Sequence, residues 1–160
     1  MGLMGCVAAG RSTTITPTQP TKIAALTPAT PLMLSQGGGE IFAEVATGKN
    51  VFSFDARSGD QVTLDIDVTD ALWGKEYNDR DSYLYLFDTH GNLLEKNDDA
   101  DSTTDESTID GYKIPTDGTY YAVVTTYGNE PVFVGGKLNT WSGNGASRIR
   151  YKLILDGVSD

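Results

Sequence analysis

The sequence contains one cysteine and one histidine in 160 residues. With Cys6 alone, no internal disulfide can form and no cysteine-based zinc site exists, and neither a reducing nor an oxidising compartment is excluded. No stretch approaches the roughly eighteen apolar residues of a membrane span. Also missing are H-E-x-x-H, G-x-S-x-G and the phosphate-binding loop, and Cys6 lies in a leader remote from any histidine partner, so the enzyme case is thin. Bases are scarce: 12 Lys and Arg stand against 22 Asp and Glu, for a net charge of -10 and a pI near 4.4. A balance of that sign argues against nucleic acid and anionic lipid surfaces, which need a basic face to displace counterions. No ten-residue segment carries a helical apolar face.

The repeated feature is a period of two. In "QVTLDIDVT" Val62, Leu64, Ile66 and Val68 alternate with Thr63, Asp65 and Asp67, and "SRIRYKLIL" repeats the pattern with Ile149, Tyr151 and Leu153. Such alternation gives a strand one buried and one wet face. Further strands read as "IFAEVAT", "NVFSFDA", "SYLYLFD", "NLLEK", "TIDGYKI", "TYYAVVTTY" and "VFVGGKL", separated by the turn signals "TGKN", "RSGD", "DTHGN", "PTDG", "YGNE" and "WSGNG". Eight or nine short strands at this spacing predict an all-β, antiparallel sandwich or jelly roll. Residues 1–31, rich in Thr, Pro and Ala, read as a tether, and residues 32–158 as the sandwich domain. An edge strand is expected near Leu32 to Leu34, before the glycine run turns the chain.

Charge is unevenly spread. Residues 55–117 hold 17 of the 22 acids and only 5 of the 12 bases. Within that window "EKNDDADSTTDEST", residues 95–108, places six carboxylates in fourteen positions. A hairpin of "SYLYLFD" and "NLLEKN" brings the start of its first strand and the end of its second to one edge. Asp79 and Asp81 should therefore approach Asn97, Asp98, Asp99 and Asp101. Calcium takes six to eight oxygens from carboxylates, carbonyls and amides, so these six residues are the candidate ligands. "DDADSTT" is not an EF-hand loop, lacking its Gly and its Glu. The competing reading is a long solvated loop kept soluble by its charge, to which Asp105, Glu106 and Asp110 belong. A carboxylate pair such as Asp79 and Asp98 also suits glycoside hydrolysis, although a small sandwich seldom has room for the cleft that chemistry needs.

Two segments, "DSYLYLFDTHGNLLEKNDD" and "IDGYKIPTDGTYYAVV", together resemble the signature of the bacterial pre-peptidase C-terminal domain family. The upstream "NVFSFDARSGDQVTLDIDVT" is similar to that family's opening strand pair, and the likeness covers roughly residues 32–156. The resemblance implies a non-catalytic β-sandwich of secreted bacterial proteins, appended to proteases or other exported enzymes. Some members bind calcium and some attach to a substrate; the clostridial collagen-binding domains are relatives. In those relatives calcium is held by acids of the linker and of an Asp-rich turn. Here "SQGGGE" and "ATGKN" supply only Glu40, so neither that calcium position nor collagen affinity is carried over.

Exposed aromatics separate classes of ligand. Trp73 in "ALWGKEY" and Trp141 in "NTWSGNG", with Tyr77 and Tyr127, fall in loops, where they either stack on a sugar or protein partner or cap the core. At the N-terminus "LMGC" resembles a bacterial lipobox, in which Cys6 receives lipid and the tail becomes a tether; a leader's charged and apolar stretches do not precede it. The expected protein is thus exported, facing the periplasm, anchored at the outer membrane or extracellular, touching a membrane only through Cys6. It is expected to bind calcium and act as a binding or stabilising module for a protein or polysaccharide, the alternative being a carbohydrate-binding module using Trp73 and Trp141.

Overall fold

The computed structural model describes residues 23–73 and 80–160. After a short 3-10 turn at Ala24–Leu26, eleven strands follow: β1 (Thr30–Pro31), β2 (Gly38–Val45), β3 (Asn50–Ala56), β4 (Gln61–Trp73), β5 (Ser82–Asp88), β6 (Leu93–Asn97), β7 (Thr108–Lys113), β8 (Gly118–Thr126), β9 (Pro131–Val134), β10 (Lys137–Trp141) and β11 (Arg148–Asp156). They form a five-stranded sheet in the order β1-β3-β8-β5-β6, a four-stranded sheet β2-β11-β4-β7, and a separate β9-β10 hairpin. Pairing is antiparallel throughout except for the two-residue β1, which runs parallel to β3. The chain is an all-β sandwich, as its alternation predicts.

The alternating apolar residues explain why the sheets stack. Leu64, Ile66 and Val68 of β4 meet Ile149, Tyr151 and Leu153 of β11 on one inner face, and Phe52, Phe54, Leu84, Leu86 and Val124 supply the other. The Tyr151 hydroxyl inside this layer accepts from Asn50 Nδ2 at 2.8 Å, so its burial leaves no orphaned polar group.

β5 departs from the one-face pattern. "SYLYLF" is buried at every position, because Leu84 and Leu86 enter the inner core while Tyr83, Tyr85 and Phe87 enter a second one on the outer side of the sheet. Ala25, Leu26 and Leu138 belong to that second core, and Ile23 and Trp141 pack against it. Residues 23–31, expected to belong to the tether, are therefore seated on the domain, where Thr30 and Pro31 pair with Phe52 and Ser53 of β3. "VFVGGKL", expected as one strand, is instead the β9-β10 hairpin. Gly135 and Gly136 have φ of 58° and 76°, the left-handed pair that a two-residue turn requires.

The C-terminus is tied back by Asp60. Its carboxylate accepts from Arg57 N at 2.8 Å, from Ser159 N at 3.1 Å and from the Ser159 hydroxyl. Those bonds, the Ser159 hydroxyl first, hold the carboxyl below its ordinary value. A carboxyl lowered in the folded state contributes stability above its unfolded value, about 3.9, which is lost as pH falls through the folded value. Melting followed from pH 6 to pH 2 should therefore fall more steeply in the wild type than in Asp60→Asn, and equal slopes would contradict the assignment.

Candidate functional site

The register fixes which loops share an end of the sandwich. Asn50 of β3 faces Val124 of β8, Thr126 of β8 faces Ser82 of β5, and Leu84 of β5 faces Asn97 of β6. The start of β3, the end of β8, the start of β5 and the end of β6 therefore lie together. Asp81, Tyr127, Asn97 and the acidic loop after it all fall on this rim, where Tyr127 N donates to Asp81 O at 3.3 Å.

The acidic loop is held at its stem by hydroxyls and backbone. Ser82 and Ser107, both buried, share a 3.0 Å hydroxyl contact, and Ser107 Oγ donates to Asp98 O at 2.8 Å. Ser82 N donates to Asp105 O at 3.1 Å and Ala100 N to Glu106 O at 2.7 Å. Arg80 pairs with Glu106 at 2.9 Å, offsetting part of the charge.

The predicted ligand set is divided by this architecture. Asn97 Oδ1 accepts from Thr108 N at 2.9 Å while its Nδ2 donates to Asp99 O at 2.9 Å, so both ends of that amide serve the loop. Asp101 Oδ1 accepts from Thr103 N and Thr103 Oγ1 at 2.7 and 2.6 Å, and those bonds lower its carboxyl. Asp98 Oδ1 accepts from Asp99 N at 3.2 Å. The Asp99 carboxyl is raised, by desolvation first and then by the charges of Asp98 and Asp105. Among the described residues no three His, Cys, Asp or Glu side chains converge on one point. Asp79 lies outside the described residues, so those that are described do not by themselves make a calcium cage.

The aromatic candidates fare differently from one another. Tyr127 is 44% exposed and packs edge-on against Tyr83 at 6.2 Å between centroids. Burial, followed by the charges of Asp81 and Asp98, pushes the Tyr83 hydroxyl up to about 12. Trp141, expected in a loop, ends β10 and packs edge-on against Tyr85 and Phe87 at 5.5 and 6.1 Å. Its Nε1 donates to Ala25 O at 3.0 Å. Trp73 is the last residue of β4, opposite Arg148. Tyr77 and Cys6 lie outside the described residues.

One group of residues has no counterpart in the sequence reading. Asn129 is 0% exposed and bonds two loops at once: its Nδ2 donates to Gly48 O at 2.7 Å and its Oδ1 accepts from Gly143 N at 3.1 Å. Gly48 N in turn donates to Asn144 O at 2.8 Å. The stapled loops border an open groove of about 580 Å³ beside Trp141. "TGKN", "YGNE" and "WSGNG" are legible as turns, but nothing local marks Asn129 as the residue joining them.

The two large sheets thus make an all-β sandwich with open grooves along its rims. Residues 48–126 match the model of the bacterial pre-peptidase C-terminal domain, and the chain carries a domain of that family. Over 75 residues, 47% of the chain, it is 35% identical to a probable subtilase-type serine protease of Deinococcus radiodurans, spanning only 9% of that protein. Among solved structures, the pre-peptidase C-terminal domain of a Bacillus anthracis collagenase aligns with a TM-score of 0.50 at 13% identity, covering 81% of this chain and 97% of that one. PliG of Aeromonas hydrophila, a periplasmic inhibitor of g-type lysozyme, aligns with a TM-score of 0.47 at 11% identity, covering 80% and 94%. The family match ends before β9, yet β11 pairs with both β2 and β4 at the middle of the four-stranded sheet, so the fold extends beyond it.

Proposed function

We propose that this chain is an exported, non-catalytic binding module that presents the loops of one sandwich rim to a ligand. The observation that carries the reading is the small share of the Deinococcus protease that it resembles: 75 residues, 9% of that protein, fit an accessory domain better than a catalytic body. Physical support comes from the way polar side chains at the rim are used. Ser82, Ser107, Asn97 and Asp101 are spent on holding loops, which stiffens the surface that the rim presents. Export, whether to the periplasm, the outer membrane or the medium, is part of the same proposal. So is lipid attachment at Cys6, read out by incorporation of labelled palmitate in the wild type and its loss in Cys6→Ser. Assays of the purified chain against casein and polysaccharide substrates should show no turnover; hydrolysis of either overturns the reading.

Calcium at the rim is the second element. It is favoured by the register, which brings the start of β5 and the end of β6 to one rim, and it requires Asp79 beside Asp81 and Asp98. A cation bound only by the folded state stabilises by RT ln(1 + [L]/Kd), about 2.7 kcal/mol at a hundredfold excess over Kd. Titration calorimetry with calcium should show binding, and calcium should raise the melting temperature relative to EDTA. The Asp81→Asn/Asp98→Asn double variant should abolish both signals. A wild-type melt identical in calcium and in EDTA removes calcium from the proposal and leaves the module reading standing.

A further inference from the structure

We propose that the groove beside Trp141 binds a neutral, hydroxyl-rich polysaccharide. The inference rests on the binding-module reading and assigns it a ligand class. The groove is bordered by Thr47, Lys49, Asn139, Thr140, Trp141 and Asn144. Three features make it a built surface.

The first is stiffness. Asn129 and the Gly48–Asn144 backbone bond staple the two bordering loops together, as described above, and Thr125 Oγ1 adds a 2.9 Å bond to Asn129 O. Trp141 is locked by its bond to Ala25 and by two edge-on ring contacts. A ligand landing here orders little that is not already ordered, which is the condition under which a few weak contacts sum to useful affinity.

The second is the placement of Asn139. Along the β9-β10 hairpin Leu138 faces Phe133 and Thr140 faces Val132, so Asn139 is an extra residue in a bulge. A bulge re-aims a side chain that a regular strand would commit to its neighbour. The Asn139 and Asn144 side chains are exposed and make no hydrogen bond among the described residues. Each amide offers two donors and a two-lone-pair acceptor, a set that matches adjacent sugar hydroxyls, which both give and accept.

The third is the combination of the ring with Lys49. The half-buried indole of Trp141 gives the groove an apolar border against which the C–H groups of a sugar can pack. Lys49 extends over that indole, 6.0 Å from its centroid, and forms no ion pair among the described residues. It is an additional donor on a flexible stem. A single lysine does not make this an anion site: the chain carries a net charge of -10, and long-range repulsion opposes a polyanion.

Affinity electrophoresis of the full chain through gels containing laminarin, soluble mannan or hydroxyethylcellulose, with polygalacturonate as the anionic probe and EDTA throughout, tests the assignment. At least one neutral polymer should retard the chain, and polygalacturonate should not. Asn139→Ala/Asn144→Ala, whose side chains support no part of the fold, should melt as the wild type and bind about tenfold more weakly, the loss of one to two hydrogen bonds. Trp141→Phe should bind at an intermediate level. Retardation by none of the neutral polymers, retardation by polygalacturonate alone, or undiminished binding by the double Asn variant each overturns the proposal. Asp81→Asn/Asp98→Asn should retain sugar binding, so failure here and failure of the calcium reading are read separately.

Discussion

Phe87→Ala should lower the unfolding free energy by about 3–5 kcal/mol, the loss expected for truncating a buried aromatic side chain. Phe87 is 0% exposed and stands on the outer side of the five-stranded sheet, where it packs against Tyr85 at 6.4 Å, Phe133 at 6.4 Å and Trp141 at 6.1 Å. It thus touches both strands of the β9-β10 hairpin through one ring. That hairpin belongs to neither large sheet; side-chain packing attaches it together with the bonds from Leu138 N to Gly91 O and from Trp141 Nε1 to Ala25 O. The variant should melt roughly 10 °C or more below the wild type, and its β9 and β10 amides should exchange faster than those of β4 and β11. Leu86→Ala is the comparison. Its side chain enters the inner core, so it should cost a similar 2–5 kcal/mol without selectively exposing the hairpin. Equal exchange in both variants would mean that the outer aromatic layer does not hold the hairpin.

Gly157→Ala is the second large effect. Gly157 follows β11 with φ of 85°, and a Cβ there would overlap the Gln61 carbonyl at the start of β4. The left-handed conformation alone costs a side-chain-bearing residue about 1–2 kcal/mol. The overlap adds to that cost, because a backbone carbonyl cannot rotate away as a side-chain tip can. Relief requires shifting the end of β11, which would pull Val158 N from Gly37 O, now 3.0 Å apart, and loosen Ser159 from Asp60. Gly111→Ala isolates the conformational part: its φ is 63°, but a Cβ there meets nothing within 4 Å. Denaturant unfolding should place Gly111→Ala near the conformational cost alone and Gly157→Ala well beyond it. A Gly157→Ala variant no less stable than Gly111→Ala would show that the Gln61 contact is not close in solution.

Much of this molecule follows from alternation and turn chemistry. "NVFSFDA" and "SYLYLFD" became β3 and β5 with the same bounds, because each apolar run is closed by residues that favour turns. Pairing of "SYLYLFD" with "NLLEKN" was equally legible, since a short Gly-containing connection leaves antiparallel neighbours little choice. The Asp88 carboxylate there accepts from His90 N and Asn92 N at 2.8 and 2.9 Å, closing the turn at Gly91. From that register alone Asp81 and the 97–101 loop are placed on one rim.

The same reasoning did not reach where the rim side chains point. Asn97 and Asp101 look in sequence like oxygens for a cation, yet each satisfies a nearby backbone N–H. That preference depends on loop conformation, which is set by Ser82 and Ser107 meeting across 25 positions. Trp141 likewise looked like a loop residue beside "SGNG". The outer face of β5 drew it into a strand, where its ring covers Tyr85 and Phe87.

The sequence by itself determined that the chain builds an all-β sandwich with an acidic loop after β6, because side-chain period and turn residues act over a few positions and need no distant partner. Only the tertiary structure decided that β5 is buried on both sides, that residues 23–31 and a hairpin cover it, and that Asn129 joins two loops into a groove. Those outcomes depend on which surfaces meet, and burial between elements far apart in the chain leaves no periodic mark in any one of them.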